Sequence, residues 1–140
     1  MATVRILLVD DFALFRSYVR RILEGHPEWQ VVGEAVDGVA ALQEAEELQP
    51  DLVLLDIGLP KLNGIEVAQQ LSAIVPSSKV LFLTSHCTPH IVRTALAVGA
   101  LGYLIKWDAD RNLLQAMKAV MAGKQFVSER VSGYASYDPT

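Results

Sequence analysis

Short apolar runs alternate with longer segments of helical periodicity along this chain, and that alternation constrains the fold more than any other feature. Three near-continuous apolar runs, at residues 5–9, 51–55 and 79–83, are typical of strands covered on both faces. Weaker runs of the same kind lie at 30–35 and 102–105. Between and after them, apolar residues recur with helical spacing in five stretches, 12–23, 41–48, 65–74, 91–96 and 113–121. This order predicts repeated βαβ units, and therefore a doubly wound α/β fold around a five-stranded parallel sheet.

Length and composition favour one folded domain. The chain has 140 residues, of which 51% are hydrophobic and 20% charged, so it has enough apolar material for a core and is not a disordered chain. Residues 1–123 contain every predicted strand and helix, whereas the polar stretch 124–140 is predicted to be a tail or linker. The net charge of −4 provides no basic surface for direct binding of DNA or of an anionic membrane.

The cysteine content and the lengths of the apolar segments indicate the cellular compartment in which the protein is expected. Cys87 is the single cysteine, so no intrachain disulfide is available and a reducing environment is expected. The apolar run at 6–9 is too short for a signal peptide, and Pro89 and Gly99 interrupt the weakly charged stretch 80–105, which therefore predicts core rather than a membrane span. We expect a cytoplasmic protein with no membrane partner.

Polar residues mark the ends of the predicted strands. Asp10 and Asp11 follow the first strand, Asp56 follows the third, Thr84 ends the fourth, and Lys106 follows the fifth. Each has an ordinary structural explanation when taken singly, as a helix cap, a strand end or a solvated lysine. Because functional sites of open α/β sheets lie outside the carboxyl ends of the strands, these residues are together predicted to form one site.

The chemistry of that residue set points to phosphoryl transfer. Three carboxylates in one site repel each other unless a cation neutralises them, and Mg²⁺ binds oxygen ligands of this kind together with a phosphate. Asp56 is the natural nucleophile, because an aspartate can attack phosphorus to give an acyl phosphate. Thr84 would then supply a hydroxyl donor and Lys106 a positive charge.

Four motifs carry a resemblance to a known family. They read LVDD at 8–11, LLDIGLPKLNGIE at 54–66, LTS at 83–85 and GYLIK at 102–106. Their order and spacing, over residues 4 to about 122, resemble the receiver domain of bacterial two-component response regulators. The resemblance implies a flavodoxin-like (βα)5 fold with strand order 2-1-3-4-5, and a phosphoacceptor signalling domain rather than a turnover enzyme.

The same resemblance implies a role for each site residue. Asp56 would accept a phosphoryl group from a sensor histidine kinase, and Lys106 would pair with that group. Mg²⁺ would be bound by the side chains of Asp11 and Asp56, by the backbone carbonyl of Gly58, and by Asp10 mainly through water.

A switch and three departures from the commonest pattern complete the comparison. Thr84 and Tyr103 match the switch pair of the family, in which the threonine closes onto the phosphoryl group and the aromatic ring turns inward, altering the surface of the fourth helix, fifth strand and fifth helix. In the family, the positions of Gly58 and His86 tune how long the phosphoryl group survives. The sequence does not determine whether these two residues lengthen or shorten that lifetime. Trp107 stands where many receivers have a proline, and is either an exposed aromatic for a partner or a cover for the last helix.

The segments 55–66 and 122–128 are similar to NarL-type regulators, which carry a helix-turn-helix domain after such a tail. DNA would then be contacted only through an output domain that is not in this chain. The alternative is a stand-alone or phosphorylation-independent interaction module, and homodimerisation stays open. Phe12 stands where an aspartate-nucleophile phosphohydrolase needs a second acid, and 11–15 has no glycine-rich phosphate loop for flavin, so both of those functions are disfavoured.

Overall fold

A single parallel sheet forms the centre of the molecule. The computed structural model describes residues 3–135, and its strands are β1 Val4–Val9, β2 Trp29–Ala35, β3 Leu52–Leu55, β4 Lys79–Thr84, β5 Gly102–Ile105 and β6 Phe126–Val127. They pair in the order β2-β1-β3-β4-β5-β6, each pair parallel. The predicted order 2-1-3-4-5 lies within this sheet, but the predicted count of five strands is wrong, because β6 pairs with the outer edge of β5.

Helices cover both faces of the sheet. They are α1 Ala13–Leu23, α2 Gly38–Leu48, α3 Gly64–Ile74, α4 Pro89–Ala97, α5 Ala109–Met121 and the short α6 Ser132–Ala135. Buried residues of α1 and α5 pack on one face, and those of α2, α3 and α4 pack on the other. This is the doubly wound arrangement that right-handed crossovers between parallel strands produce. No helix within residues 3–135 is long and apolar enough to cross a membrane.

Successive residues of each central strand contribute to different cores. In β1, Leu7 and Val9 belong to the core beneath α2, α3 and α4, while Ile6 and Leu8 belong to the core beneath α1 and α5. All four are almost fully buried. Side chains that alternate between two covered faces explain why the strands appear in the sequence as continuous apolar runs.

The sixth strand belongs to a segment that the sequence predicts to be polar and irregular. Residues 126–131, the C-terminal strap, run along β5, with Phe126 paired to Gly102 and Val127 to Tyr103. A two-residue strand has no periodicity to read, so only its backbone pairing with the free edge of β5 reveals it. The division into a domain at 1–123 and a linker at 124–140 stays a prediction, and residues 136–140 lie outside the described part of the chain.

Candidate functional site

Three carboxylates meet at the carboxyl edge of the sheet. Asp10 directly follows β1 and Asp56 directly follows β3, and both are buried, with 2% and 6% of their surface exposed. Asp11 is exposed beside them. One carboxylate oxygen from each of the three lies within 4.8 Å of the others. Three clustered hard oxygen donors, one of them open to solvent, fit the coordination preference of Mg²⁺.

Backbone amides fix the two buried carboxylates. The N–H of Phe12 donates to Asp10 Oδ1 at 2.9 Å, and the N–H of Ile57 donates to Asp56 Oδ1 at 2.8 Å. The guanidinium of Arg16, on α1, donates to the carbonyl oxygen of Asp10 at 2.6 Å. Each Oδ1 is thus held by a residue that follows it, and each Oδ2 is left to interact with Lys106, which follows β5.

Lys106 joins these two free oxygens from the end of β5. Its Nζ lies 2.7 Å from Asp10 Oδ2 and 3.2 Å from Asp56 Oδ2, and 18% of its side chain is exposed. Burial disfavours the charged ammonium, but the hydrogen bond to Asp10 and the charges of Asp56 and Asp10 outweigh it, so the pKa of Lys106 is raised. The site therefore favours the charged form of this lysine.

Asp10 shows the opposite balance. Burial raises the pKa of its carboxyl above the ordinary value, and the nearby charge of Asp56 acts in the same direction. The hydrogen bonds from Lys106 and Phe12 oppose this rise without cancelling it. A second cation at this edge would relieve the unfavourable burial of negative charge.

The loop between β3 and α3 passes beneath the site. Asn63 caps α3 by accepting from the N–H of Glu66 at 2.9 Å, and the Glu66 side chain accepts from the N–H of Asn63. A Cβ at Gly64 would overlap the carbonyl group of Asp56, so only glycine allows this close approach. A Cβ at Gly58 would lie 3.1 Å from Nε2 of His86, which places the imidazole against this exposed glycine.

The two candidate switch residues are both buried. Thr84, at the end of β4, accepts a hydrogen bond at its Oγ1 from the N–H of His86 at 3.3 Å. The hydroxyl of Tyr103 donates to the carbonyl of His86 at 2.7 Å, and its ring packs on Phe82 with centroids 6.1 Å apart. Burial raises the pKa of Tyr103, as do Cys87 and Asp56. The tyrosine ring thus occupies the inward position in this structure.

Sequence reasoning missed one neighbour of the site and left the role of another open. Phe15, read as an apolar residue of the first helix, places its ring 4.5 Å from Nζ of Lys106. Its position in the first turn of α1, the helix that follows the Asp10–Asp11 pair, is the signal that could have indicated this contact. Trp107 follows Lys106 through a trans peptide and is 77% exposed, so of its two predicted roles the structure favours the exposed aromatic.

A family model described as the response regulator receiver domain matches residues 6–118. The chain belongs to this family. The receiver domain is 40% identical over 130 residues to the transcriptional regulatory protein DegU of Brevibacillus brevis, a match that covers 92% of this chain and 55% of that protein. It is 36% identical over 127 residues to the nitrate/nitrite response regulator protein NarL of Escherichia coli strain K12, covering 91% of this chain and 59% of that one.

The fold of this receiver domain is also similar to that of a solved response regulator. The crystal structure of a two-component response regulator of the LuxR family from Aurantimonas sp. SI85-9A1 matches with a TM-score of 0.90 and 32% identity, covering 96% of both chains. The resemblance to receivers of NarL-type regulators is therefore confirmed. This receiver domain spans little more than half the length of the curated relatives described above.

Proposed function

We propose that this receiver domain is a phosphoacceptor, in which Asp56 takes a phosphoryl group from a phosphohistidine of a sensor histidine kinase in the presence of Mg²⁺. One observation supports this most directly. The Asp56 carboxylate has a lysine ammonium at 3.2 Å and lies beside two further carboxylates that are suited to a divalent cation. A nucleophile, a positive charge and a metal-binding acidic pair are the parts that aspartyl phosphorylation requires.

In the proposed reaction, a carboxylate oxygen of Asp56 attacks the phosphorus, and the P–N bond to the histidine breaks with its electron pair moving to the imidazole nitrogen. Asp11 and Asp56 would hold Mg²⁺ by their side chains, with the carbonyl of Gly58, and with Asp10 mainly through water. The metal, when bound, screens the negative charge of the phosphoryl oxygens. Lys106 pairs with that charge from the side of β5.

Phosphorylation is proposed to act through Thr84 and Tyr103. The Thr84 hydroxyl closes onto the phosphoryl group, and the inward ring of Tyr103 stabilises the altered surface of α4, β5 and α5. Replacing Tyr103 with Phe removes the 2.7 Å bond to the His86 carbonyl but keeps the buried ring. We expect phosphorylation to continue at the parent rate and output of the full-length regulator to weaken, whereas a loss of phosphorylation would contradict the assignment.

The output is proposed to be transcription regulation in the cytoplasm. The relatives named above are a transcriptional regulatory protein and a nitrate/nitrite response regulator, each considerably longer than this chain. DNA would be bound by an output domain outside the receiver, and homodimerisation of the receiver is part of the proposal. A phosphorylation-independent interaction module is the second candidate. The buried, hydrogen-bonded Asp56 carboxylate favours the phosphoacceptor function over this second candidate.

Incubation with acetyl phosphate and Mg²⁺, followed by intact mass measurement and hydroxylamine treatment, tests the proposal. The expected result is one labile phosphoryl adduct that disappears with a chelator and in Asp56→Asn. Asp110→Asn, which removes an exposed acid from α5, is the matched control and should leave the adduct intact. A folded protein that forms no adduct would overturn the phosphoacceptor function and favour the interaction module.

A further inference from the structure

The ring of Phe15 covers one side of the Lys106 ammonium. Its centroid lies 4.5 Å from Nζ, within the distance at which an aromatic face attracts a cation. Phe15 is partly buried and packs on the core beneath α1 and α5. Its ring also lies tilted against Tyr18, with centroids 5.9 Å apart. The aromatic face beside Nζ is therefore part of a packed cluster.

The two carboxylate contacts of Nζ leave one side of the ammonium open to this ring. An ammonium carries three N–H donors, and the carboxylates of Asp10 and Asp56 accept from two directions at 2.7 and 3.2 Å. The ring supplies its negative face from a third direction without offering a competing acceptor. The ring thus attracts the positive charge of the ammonium, while the N–H groups remain hydrogen-bonded to Asp10 and Asp56.

The backbone of α1 holds the ring in this place. The N–H groups of Phe15 and Arg16 donate to the carbonyl of Phe12 at 3.1 and 3.2 Å, which closes the first turn. That turn is fixed to the site because Phe12 N–H and the Arg16 guanidinium both bind Asp10. The position of the ring is therefore coupled to the same aspartate that Lys106 contacts.

We propose that Phe15 is a positioning residue for Lys106, keeping its ammonium beside Asp56 where it meets the incoming phosphoryl group; this inference rests on the phosphoacceptor function proposed above. A lysine has a long flexible stem, and its shorter contact is with Asp10 rather than with Asp56. The attraction of the ring holds the ammonium between the two carboxylates. The rate of Asp56 phosphorylation then depends on the aromatic character of residue 15.

Fluorinated phenylalanines separate this attraction from simple packing. Successive fluorine atoms withdraw charge from the face of the ring with little change in its shape, so they weaken the attraction of a cation stepwise. The experiment places phenylalanine carrying one, two or three ring fluorines at position 15 of the whole chain. The initial rate of adduct formation with acetyl phosphate and Mg²⁺ is then measured by intact mass.

We expect the rate to fall progressively along the series, to roughly three- to tenfold below the parent rate with three fluorines. Phe15→Trp should retain most of the rate, and Phe15→Leu should lose at least as much as the trifluoro variant. The same series at Phe126, whose backbone pairs with Gly102 at the opposite end of β5 from Lys106, is the matched control and should show no trend. Equal rates throughout the series at position 15 would overturn the inference.

A spectroscopic measurement tests the contact without phosphorylation. The aromatic ring should shift the NMR resonances of the Lys106 ε-methylene protons upfield, and Phe15→Leu should abolish that shift. Unshifted resonances in the parent protein would overturn the inference. Failure of the proposed function would look different, because the parent protein itself would then form no adduct while the NMR shift persisted.

Discussion

Lys106 supplies the positive charge that partly offsets the negative charges of the carboxylates at the site. Three carboxylates lie together, and its ammonium contacts the two that are buried. Burial raises the pKa of Asp10 even with this lysine beside it, so the lysine does not fully offset the cost of burying this carboxylate. The remaining unfavourable energy is a physical reason for this edge of the sheet to bind a divalent cation.

Glu34 gives a residue-scale prediction about pH. It pairs with Arg16 at 2.6 Å and with Arg20 at 2.8 Å, and these arginines outweigh its partial burial and lower its pKa below 4.5. A lowered folded-state pKa contributes stability that is fully present above pH 4.5 and is lost as the pH falls through the folded-state pKa. Glu34→Gln should therefore cost up to about 1 kcal/mol near pH 7, because the pair is partly exposed.

Chemical denaturation of the parent and Glu34→Gln proteins between pH 3 and pH 7 checks this expectation. The difference in unfolding free energy should be constant near neutrality and should shrink at the acidic end of the range. Glu47→Gln, at an exposed position of α2, is the control. A difference that does not depend on pH would show that packing, rather than charge, is responsible.

His86 gives a prediction about the lifetime of the phosphorylated state. Its exposed imidazole lies against Gly58, two residues after Asp56 and beside the site. Replacing it with alanine should open that side to water, so the acyl phosphate of His86→Ala should hydrolyse faster than that of the parent. Half-lives are compared after removal of acetyl phosphate, with His90→Ala on α4 as the control. An equal or longer half-life for His86→Ala would eliminate this role.

At the scale of elements, the C-terminal strap closes the edge of β5. The N–H of Ser128 donates to the carbonyl of Tyr103 at 2.8 Å, and its hydroxyl oxygen accepts from the N–H of Ile105 at 2.8 Å. Ser128 and Val131 are almost fully buried. Ser128 thereby satisfies the carbonyl of the switch residue Tyr103 and the N–H that directly precedes Lys106, which ties this end of the strap to the functional edge of the sheet.

Ser128→Ala should destabilise the fold by about 1–3 kcal/mol, because it leaves the buried N–H of Ile105 without its acceptor. Urea unfolding of the isolated chain measures this loss. Ser132→Ala, in the exposed first turn of α6, is the matched control and should lie within about 0.5 kcal/mol of the parent. Equal stabilities for the two variants would mean that the strap adds little to the domain.

At the scale of the whole molecule, strand order brings distant residues to one edge. Asp10 and Asp56 follow the adjacent strands β1 and β3, while Lys106 reaches them from β5, 50 residues after Asp56. Because all these strands are parallel, their carboxyl ends lie on the same side. A cation bound at that edge would therefore stabilise the association of several strands of the sheet rather than of one loop.

Magnesium should accordingly raise the melting temperature. At a free concentration 100-fold above Kd, it adds about 2.7 kcal/mol, or roughly 5–10 °C for a domain of this size. Asp11→Asn should leave the melting temperature without metal unchanged or slightly higher, since Asp11 is exposed and lies near two other carboxylates. The same variant should lose the shift caused by Mg²⁺. Thermal unfolding with and without Mg²⁺ measures both effects, and an undiminished shift in Asp11→Asn would exclude this carboxylate from the metal site.

Local sequence was sufficient to predict the alternation of strands and helices, because each element carries its own periodicity. It was also sufficient to predict which residues end the strands, and hence that Asp10, Asp56 and Lys106 approach one another, as the structure shows. Their arrangement depends only on parallel strands having their carboxyl ends on one side. The family motifs lie at those same positions.

Only the tertiary structure decided the features that depend on contacts between distant segments. The two-residue β6 exists because the edge of β5 offers unpaired backbone groups to a segment with no strand signal of its own. The placement of Phe15 over Lys106, and of His86 against Gly58, depends on side-chain orientation across elements that are far apart in the chain. Periodicity determines which face of an element is apolar, whereas the neighbour that each side chain meets is determined by packing.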